Sequence, residues 1–275
     1  MHYLSTRNNQ LKESFLNILF RGLSKDGGLF LPSEWPTISL EKLRGKSYQE
    51  VAHSIIYPYI QDDISDTDLQ LILNTAYENF DHKKIAPLVN IDQNKYILEL
   101  FYGPTFAFKD YALQFLGNLF SYLLNQRTKK ITVLGATSGD TGSAAINAFK
   151  GKNDIEVFIL HPHNNVSEVQ RRQMTTVKEN NIHNFAIDGT FDDCQRIVKE
   201  LFVDEEIQSK TSLTAINSIN WIRIIAQTVY YFWSYLQLNE EKINFIVPSG
   251  NFGNIFSARV AKYMGLPINE LHIVT

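Results

Sequence analysis

Three segments of this chain carry residue types that could bind a small anionic ligand and react with it. The first runs from Gly103 to Lys109 and places a lysine at the start of an apolar helical pattern, between Phe106 and Phe108 on one side and an apolar run on the other. Apolar neighbours disfavour the ammonium form and lower a lysine pKa. A neutral amine is what a Schiff base with an aldehyde cofactor requires. On this segment alone, a lysine whose stem covers apolar neighbours explains the pattern equally well.

The other two segments are glycine loops, each between an apolar strand pattern and a helical pattern. One follows the apolar run 131–134 and spans residues 135–142, and the other follows 245–247 and spans 248–254. Successive backbone N–H groups at a helix N-terminus form an anion site. The glycine spacings match neither the dinucleotide fingerprint nor the phosphate loop of nucleotide hydrolases. Either loop alone is explained by an ordinary strand-to-helix turn, but both together with the lysine segment favour a ligand site.

Composition limits the class of protein. The 275 residues are 44% hydrophobic and 20% charged, which is typical of a globular protein with a sizeable core. The net charge of −3 gives no electrostatic reason to expect nucleic acid or an anionic membrane as a partner. One cysteine, Cys194, fits a reducing compartment, and no signal peptide or spanning segment is recognised, so we expect a cytoplasmic protein. No metal site is predicted.

The elements that must position the three segments alternate between strand and helix from about residue 90 onward. This alternation predicts an α/β fold with a mainly parallel, twisted sheet and helices on both faces. We place soft boundaries near 90 and 210. They give an N-terminal helical segment (1–90), an α/β domain with the lysine and the first glycine loop (91–210), and a first part of a second α/β domain with the other loop (211–275).

These motifs together resemble those of the threonine synthase family, pyridoxal-phosphate enzymes of fold type II in the tryptophan-synthase-β-like superfamily. The lysine segment and the second glycine loop, which the resemblance assigns to the cofactor phosphate, are shared across that superfamily, whereas the opening segment and the stretch 217–220 are more specific to threonine synthases. The resemblance rests on residues 3–8, 27–32, 103–110, 136–142, 217–220 and 248–253.

The resemblance implies conversion of O-phospho-L-homoserine and water to L-threonine and phosphate, with pyridoxal 5'-phosphate attached to Lys109. The implied ligands of the cofactor phosphate are Ser249, Gly250, Asn251, Phe252, Gly253 and Asn254. The implied ligands of the substrate carboxylate, or of the 3-hydroxyl side of the cofactor, are Thr137, Ser138, Gly139, Asp140 and Thr141. Arg223 lies in an otherwise apolar helix, and a buried arginine needs an anion. That anion is either a structural carboxylate or the substrate phosphate.

Two other functions stay open: a related pyridoxal-phosphate lyase or dehydratase that acts on a small amino acid, and a catalytically inactive protein that binds phosphorylated amino acids. The chain ends in an apolar pattern at 271–275 that predicts a strand of the main sheet, whereas family members continue for well over a hundred residues. We therefore expect the second α/β domain to be incomplete, part of the apolar helix 221–236 to be uncovered, and this chain alone to have little activity. We also expect this chain, expressed alone, to be poorly soluble or oligomeric, whereas the oligomeric state of the whole enzyme is not predicted.

Overall fold

Strands and helices alternate through most of the structure, a computed structural model that describes residues 1–22, 24–126, 130–215 and 220–275. The described strands are β1 (Tyr3–Ser5), β2 (Lys12–Glu13), β3 (Phe30–Pro32), β4 (Leu88–Asp92), β5 (Lys95–Leu98), β6 (Ile131–Ala136), β7 (Ile155–Pro162), β8 (Ile182–Ile187), β9 (Leu213–Ala215), β10 (Ile243–Pro248) and β11 (Ile268–Val274). The described helices are α1 (Phe15–Arg21), α2 (Tyr48–Ile60), α3 (Asp66–Tyr77), α4 (Lys109–Asn125), α5 (Asp140–Phe149), α6 (Glu168–Thr175), α7 (Phe191–Val203), α8 (Glu205–Lys210), α9 (Trp221–Leu236) and α10 (Gly253–Tyr263), with a 3-10 turn at Glu41–Leu43.

The main sheet has four parallel strands in the order β8, β7, β6, β9. Val133 of β6 is paired with Val157 of β7, and Leu134 of β6 is paired with Ala215 of β9. The predicted parallel sheet is therefore confirmed. Strand β9 lies beyond the boundary that we placed near 210, yet it belongs to the same sheet as β6, and the division into domains stays a prediction.

Helices cover both faces of this sheet, as predicted. Side chains alternate along each strand, so the central strands β6 and β7 direct apolar residues toward both layers of helices. Leu134 and Leu160 face α7, where Cys194 and Val198 complete a small apolar cluster. Val133 and its neighbours on the opposite face join the large core, to which α4 and α5 contribute most of their apolar side chains. The strands are thus buried on both sides, as parallel strands usually are.

The N-terminal part packs against the beginning of α9 rather than standing apart from it. Its three-stranded antiparallel sheet has the order β2, β1, β3. The indole ring of Trp221 lies 6.5 Å from the ring of Tyr3 and 5.3 Å from that of Tyr59. The Asn220 side chain donates to the carbonyl of Leu19 at 3.3 Å. The opening segment, one of the two that are more specific to threonine synthases, therefore contacts the helix that carries Arg223 through Tyr3.

The second parallel pair, β10 and β11, forms a separate two-stranded sheet among the described residues. We expected part of the apolar face of helix 221–236 to be uncovered, and this expectation is wrong. Helices α2, α4 and α10 pack around α9, and its residues from Trp221 to Phe232 are all buried. The strand pair does carry exposed apolar side chains, since Ile246 is 71% and Val274 is 51% exposed.

Helix bounds follow local capping more closely than the sequence periodicity indicated. The apolar spacing over 11–20 alone predicts one helix, but Lys12 pairs with β1 and α1 begins at Phe15, after the capping side chain of Ser14. The helical pattern over 166–178 is likewise longer than α6, whose first turn is capped by Ser167. Among the described helices, none is both long enough and apolar enough to cross a bilayer.

Candidate active site

Lys109 is the first residue of α4, and its side chain reaches the first glycine loop. Its side chain is 23% exposed, with the Nζ atom 3.7 Å from an oxygen of Asp140 and 5.2 Å from the centre of the Phe108 ring. Burial lowers the pKa of the Lys109 ammonium below its ordinary value, and the Arg223 charge lowers it further, whereas Asp140 opposes both. The structure thus places at this position an amine with an increased share of the neutral, nucleophilic form.

The turn before Lys109 is fixed by the residue that follows the lysine. The buried carboxylate of Asp110 accepts hydrogen bonds from the Thr105 N–H at 2.8 Å and from the Thr105 hydroxyl at 2.7 Å. Burial raises the pKa of Asp110, while these two bonds lower it. A Cβ atom on Gly103 would lie 2.5 Å from the Asp110 Cβ, so glycine is required for this close approach. Sequence reasoning quoted Thr105 and Asp110 as motif residues, but did not predict that they clamp the lysine turn.

The first glycine loop, which joins β6 to α5, is organised by the hydroxyl of Thr137. This oxygen accepts the N–H groups of Gly139 at 3.0 Å and Gly142 at 2.9 Å, and the threonine side chain is buried. Gly139 has φ 146°, a conformation that favours glycine. Ser138 is exposed, and Asp140 directs a carboxylate oxygen toward Lys109. The structure therefore turns Thr137 into the loop, and a contact of its side chain with substrate stays a prediction.

Replacing Thr137 with alanine is expected to destabilise the protein, because two loop N–H groups would lose their acceptor. The expected loss is about 1–3 kcal/mol, on the scale of leaving buried donors unsatisfied. Ser138→Ala is the matched control, since its exposed hydroxyl should change stability by less than about 0.5 kcal/mol. Thermal unfolding of both variants tests this. If Thr137→Ala keeps the wild-type melting temperature and loses only turnover, the hydroxyl acts on substrate instead.

The second glycine loop leads from β10 into α10 and exposes its backbone. The N–H of Ser249 is used by the strand pair, since it donates to the Val274 carbonyl at 3.0 Å. Phe252 adopts a left-handed conformation (φ 55°) directly before the helix begins at Gly253. The first N–H groups of a helix have no partner within the helix and carry its positive end. A Cβ atom added to Gly250 would meet no described atom within 4 Å, so there is open space above the loop.

Asn254 directs its side chain away from that open space, toward α9. Its side-chain oxygen accepts hydrogen bonds from the hydroxyls of Tyr230 at 2.5 Å and Tyr231 at 2.7 Å. The Tyr230 ring lies 5.9 Å from the ring of Tyr111, two residues after Lys109. Tyr230 thus connects the lysine helix with the second glycine loop. The side-chain oxygen of Asn254 is thus occupied as an acceptor, and its donors toward an anion are the backbone N–H and the side-chain NH₂. Sequence reasoning missed the two tyrosines.

Arg223 lies in the first turn of α9 and is only 1% exposed. Burial lowers the pKa of its guanidinium to about 10, so that it remains positively charged at neutral pH. Its positive charge is one of the influences that lower the pKa of Lys109, after burial, and a role of Arg223 in holding an anion stays a prediction. The preceding segment that also carried the resemblance, residues 217–219, lies outside the described residues.

Comparisons with known proteins agree with this geometry. A family profile described as "Threonine synthase N terminus" matches residues 2–77, and one described as "Pyridoxal-phosphate dependent enzyme" matches residues 81–266. The second profile spans Lys109, both glycine loops and Arg223. The chain belongs to the family of pyridoxal-phosphate dependent enzymes. The predicted fold class and cofactor are thereby confirmed.

The similar proteins within this family are threonine synthases. The threonine synthase of Pseudomonas aeruginosa is 48% identical over 280 residues, which cover 100% of this chain and 60% of that protein. The crystal structure of pyridoxal-phosphate-bound threonine synthase from Brucella melitensis superposes with a TM-score of 0.94 at 48% identity, over 100% of this chain and 60% of that one. The yeast threonine synthase structure gives 0.92 at 45% identity, over 100% and 58%. The chain thus spans about 60% of the length of these relatives.

The residues present fit pyridoxal phosphate. The cofactor needs an amine for its aldehyde and a group of N–H donors for its phosphate. Lys109 offers the first as a largely buried amine, and the Gly250–Gly253 backbone offers the second next to open space and a helix N-terminus. This chain therefore contains both kinds of group that pyridoxal phosphate needs for binding.

Proposed function

We propose that the enzyme containing this chain converts O-phospho-L-homoserine and water to L-threonine and phosphate. The observation that carries the proposal is the Lys109 amine, which is largely buried, lies 3.7 Å from an oxygen of Asp140 and has a pKa lowered by burial. The match of residues 2–77 to a threonine synthase profile supports this choice over other reactions of the family. The substrate is thus a small phosphorylated amino acid, and the proposed location is the cytoplasm.

Each residue group has a distinct part in the proposed reaction. When bound, pyridoxal phosphate supplies an aldehyde and a ring that withdraws electrons from the substrate carbons. Lys109 would hold that aldehyde through Nζ, and its amine would move protons at Cα and Cβ of the substrate. Its lowered pKa suits it to act as a base.

Two further groups bind anions in this proposal. The backbone of residues 250–254 holds the cofactor phosphate at the positive end of α10. The loop 137–141, at the N-terminus of α5, holds the substrate carboxylate or the 3-hydroxyl side of the cofactor. Arg223 holds the substrate phosphate, because its guanidinium is buried and stays positively charged, and a buried cation needs an anion.

Gly250→Val is expected to weaken cofactor binding without weakening the fold. The added side chain meets no described atom within 4 Å, but it fills the space that a bound phosphate needs. The expected loss in cofactor binding energy is about 1–3 kcal/mol, the scale of one or two charge-assisted hydrogen bonds. Titration of cofactor absorbance measures the dissociation constant, and melting of the cofactor-free protein is the control. A wild-type dissociation constant would remove the phosphate role from this loop.

A substrate panel separates the proposed reaction from the two alternatives. The enzyme is incubated with O-phospho-L-homoserine, L-threonine and L-serine, and the release of phosphate, threonine and 2-keto acids is followed. We expect phosphate and threonine in equal amounts from the first substrate. A faster release of keto acid from threonine or serine would indicate a lyase or dehydratase. Binding of the phosphorylated amino acid with no product would indicate an inactive binding protein.

A further inference from the structure

Helix α6 contacts both segments that surround the reactive lysine, although the chemistry itself uses none of its residues. The side-chain amide of Gln170 donates a hydrogen bond to a carboxylate oxygen of Asp140. One turn further on, the side-chain amide of Gln173 donates to the Thr105 carbonyl at 3.1 Å. Residues three apart lie on the same face of a helix. One face of α6 is therefore bonded to the first glycine loop and to the lysine turn at once.

We infer that Gln170 is a positioning residue, which holds the Asp140 carboxylate against the Lys109 amine. The inference rests on the proposed function for its catalytic meaning, but the arrangement itself is a property of the protein without cofactor or substrate. One oxygen of Asp140 is bonded to Gln170, and the other lies 3.7 Å from the Lys109 Nζ.

The orientation of the Gln170 amide is itself fixed. Its oxygen accepts a hydrogen bond from the Ser167 hydroxyl at 2.9 Å, so its NH₂ group must face Asp140. The amide also packs directly on the loop, since a Cβ atom on Gly139 would lie 2.1 Å from the Gln170 oxygen. Asp140 is 42% exposed and can turn toward water when this donor is removed. Gln170 is thus the contact that keeps a partly solvated carboxylate directed inward.

The consequence for Lys109 follows from the charged groups that face it. Asp140 from α5 stabilises the ammonium, whereas Arg223 from α9 and burial favour the neutral amine. The uncharged ring of Phe108, on the lysine's own turn, has its centre 5.2 Å from the Lys109 Nζ. Releasing Asp140 removes the one opposing influence, so the amine of Lys109 should lose its proton at a lower pH than in the wild type.

The test measures the protonation of Lys109 in the cofactor-free enzyme by acetylation with acetic anhydride across a pH series, followed by peptide mapping. The variant Gln170→Met keeps the side-chain length and removes the amide, and Asp140→Asn removes the charge. Gln70→Met is the matched control, because the Gln70 amide makes the same type of bond, 2.9 Å to Asp66, on distant α3. The exposed Lys95 serves as the internal reference for reagent activity.

We expect Gln170→Met to shift the pH midpoint of Lys109 acetylation downward, so that its rate at pH 8 rises roughly threefold as the neutral fraction grows. The plateau rate at high pH should stay the same, since a merely structural change would alter access rather than the midpoint. Asp140→Asn should give the same shift, and the double variant no more than either single one.

Two results would overturn the inference. One is an unchanged midpoint in Gln170→Met beside a lowered one in Asp140→Asn, which would show that another contact holds the carboxylate. The other is an unchanged midpoint in both variants, which would show that Asp140 does not act on Lys109. If Gln170→Met is too unstable to measure, Ser167→Ala, which releases the amide orientation, must shift the midpoint in the same direction. The assay uses neither cofactor nor substrate, so it stands whether or not the proposed reaction is correct.

Discussion

Replacing Lys109 with alanine is expected to lower turnover of the enzyme by at least about 10²–10⁴-fold, the contribution of a positioned base. The same change removes the amine that binds the cofactor aldehyde. The fold should tolerate it, because Lys109 lies at the first position of α4 and its ionic partner Asp140 is partly solvated. Phosphate release from O-phospho-L-homoserine measures the effect, and melting of the cofactor-free protein checks the fold.

The chain offers a matched control for this change. Lys152 is also a lysine whose pKa is lowered by burial, and its Nζ donates to the Asn118 side chain at 3.2 Å, away from both glycine loops. Lys152→Ala should therefore leave turnover within about twofold while costing up to about 1.5 kcal/mol of stability through one lost hydrogen bond. An equal loss of turnover in both variants would show that activity follows stability and not the Lys109 amine.

Arg223→Met is expected to lower kcat/KM for the phosphorylated substrate roughly 30- to several-thousand-fold. This corresponds to a loss of about 2–5 kcal/mol in transition-state stabilisation, the cost of removing one member of a buried charge pair. Methionine keeps most of the apolar volume within α9. The expected effect arises because the wild-type guanidinium stays charged at neutral pH, with a pKa of about 10, in a site that excludes water.

Inhibition by inorganic phosphate distinguishes a substrate role of Arg223 from a structural one. The wild-type enzyme should be inhibited competitively, Arg223→Met should lose most of that inhibition, and Arg223→Lys should retain part of it as a point charge. Melting temperatures of all three proteins are measured alongside. Unchanged inhibition in Arg223→Met would assign the arginine to a structural carboxylate, the other partner that the sequence suggested.

Local patterns in the sequence were sufficient for the parts of the site that depend on neighbouring residues. The lysine at a helix start and the two glycine loops at strand-to-helix turns are all where the patterns placed them. The alternation of strands and helices likewise indicated the parallel sheet. These features arise from backbone conformation and apolar periodicity, which act over a few residues.

Side-chain directions within the site depended on contacts that are distant in sequence. Thr137 turns into its own loop, and Asn254 turns toward two tyrosines more than twenty residues earlier. The bond from Gln170 to Asp140 spans 30 residues and the bond from Gln173 to Thr105 spans 68. No local propensity encodes such pairs, so the sequence could name the loops but not the direction of each side chain.

The prediction of strand pairing and of burial from the sequence was limited for the same reason. The apolar pattern over 271–275 indicated a strand of the main sheet, whereas β11 pairs with β10 in a sheet of its own. The apolar helix 221–236 was expected to be partly uncovered, whereas three other helices enclose α9. Both outcomes depend on how separate elements pack, which a single sequence does not reveal.

Borohydride reduction of the enzyme with pyridoxal phosphate bound, followed by proteolysis and mass spectrometry of the peptides, tests the role of Lys109 most directly. We expect stoichiometric cofactor label on the peptide that contains Lys109, at that residue, with no label there in Lys109→Ala. Label on any other lysine of the wild-type enzyme, or a cofactor that remains removable after reduction, would contradict this role.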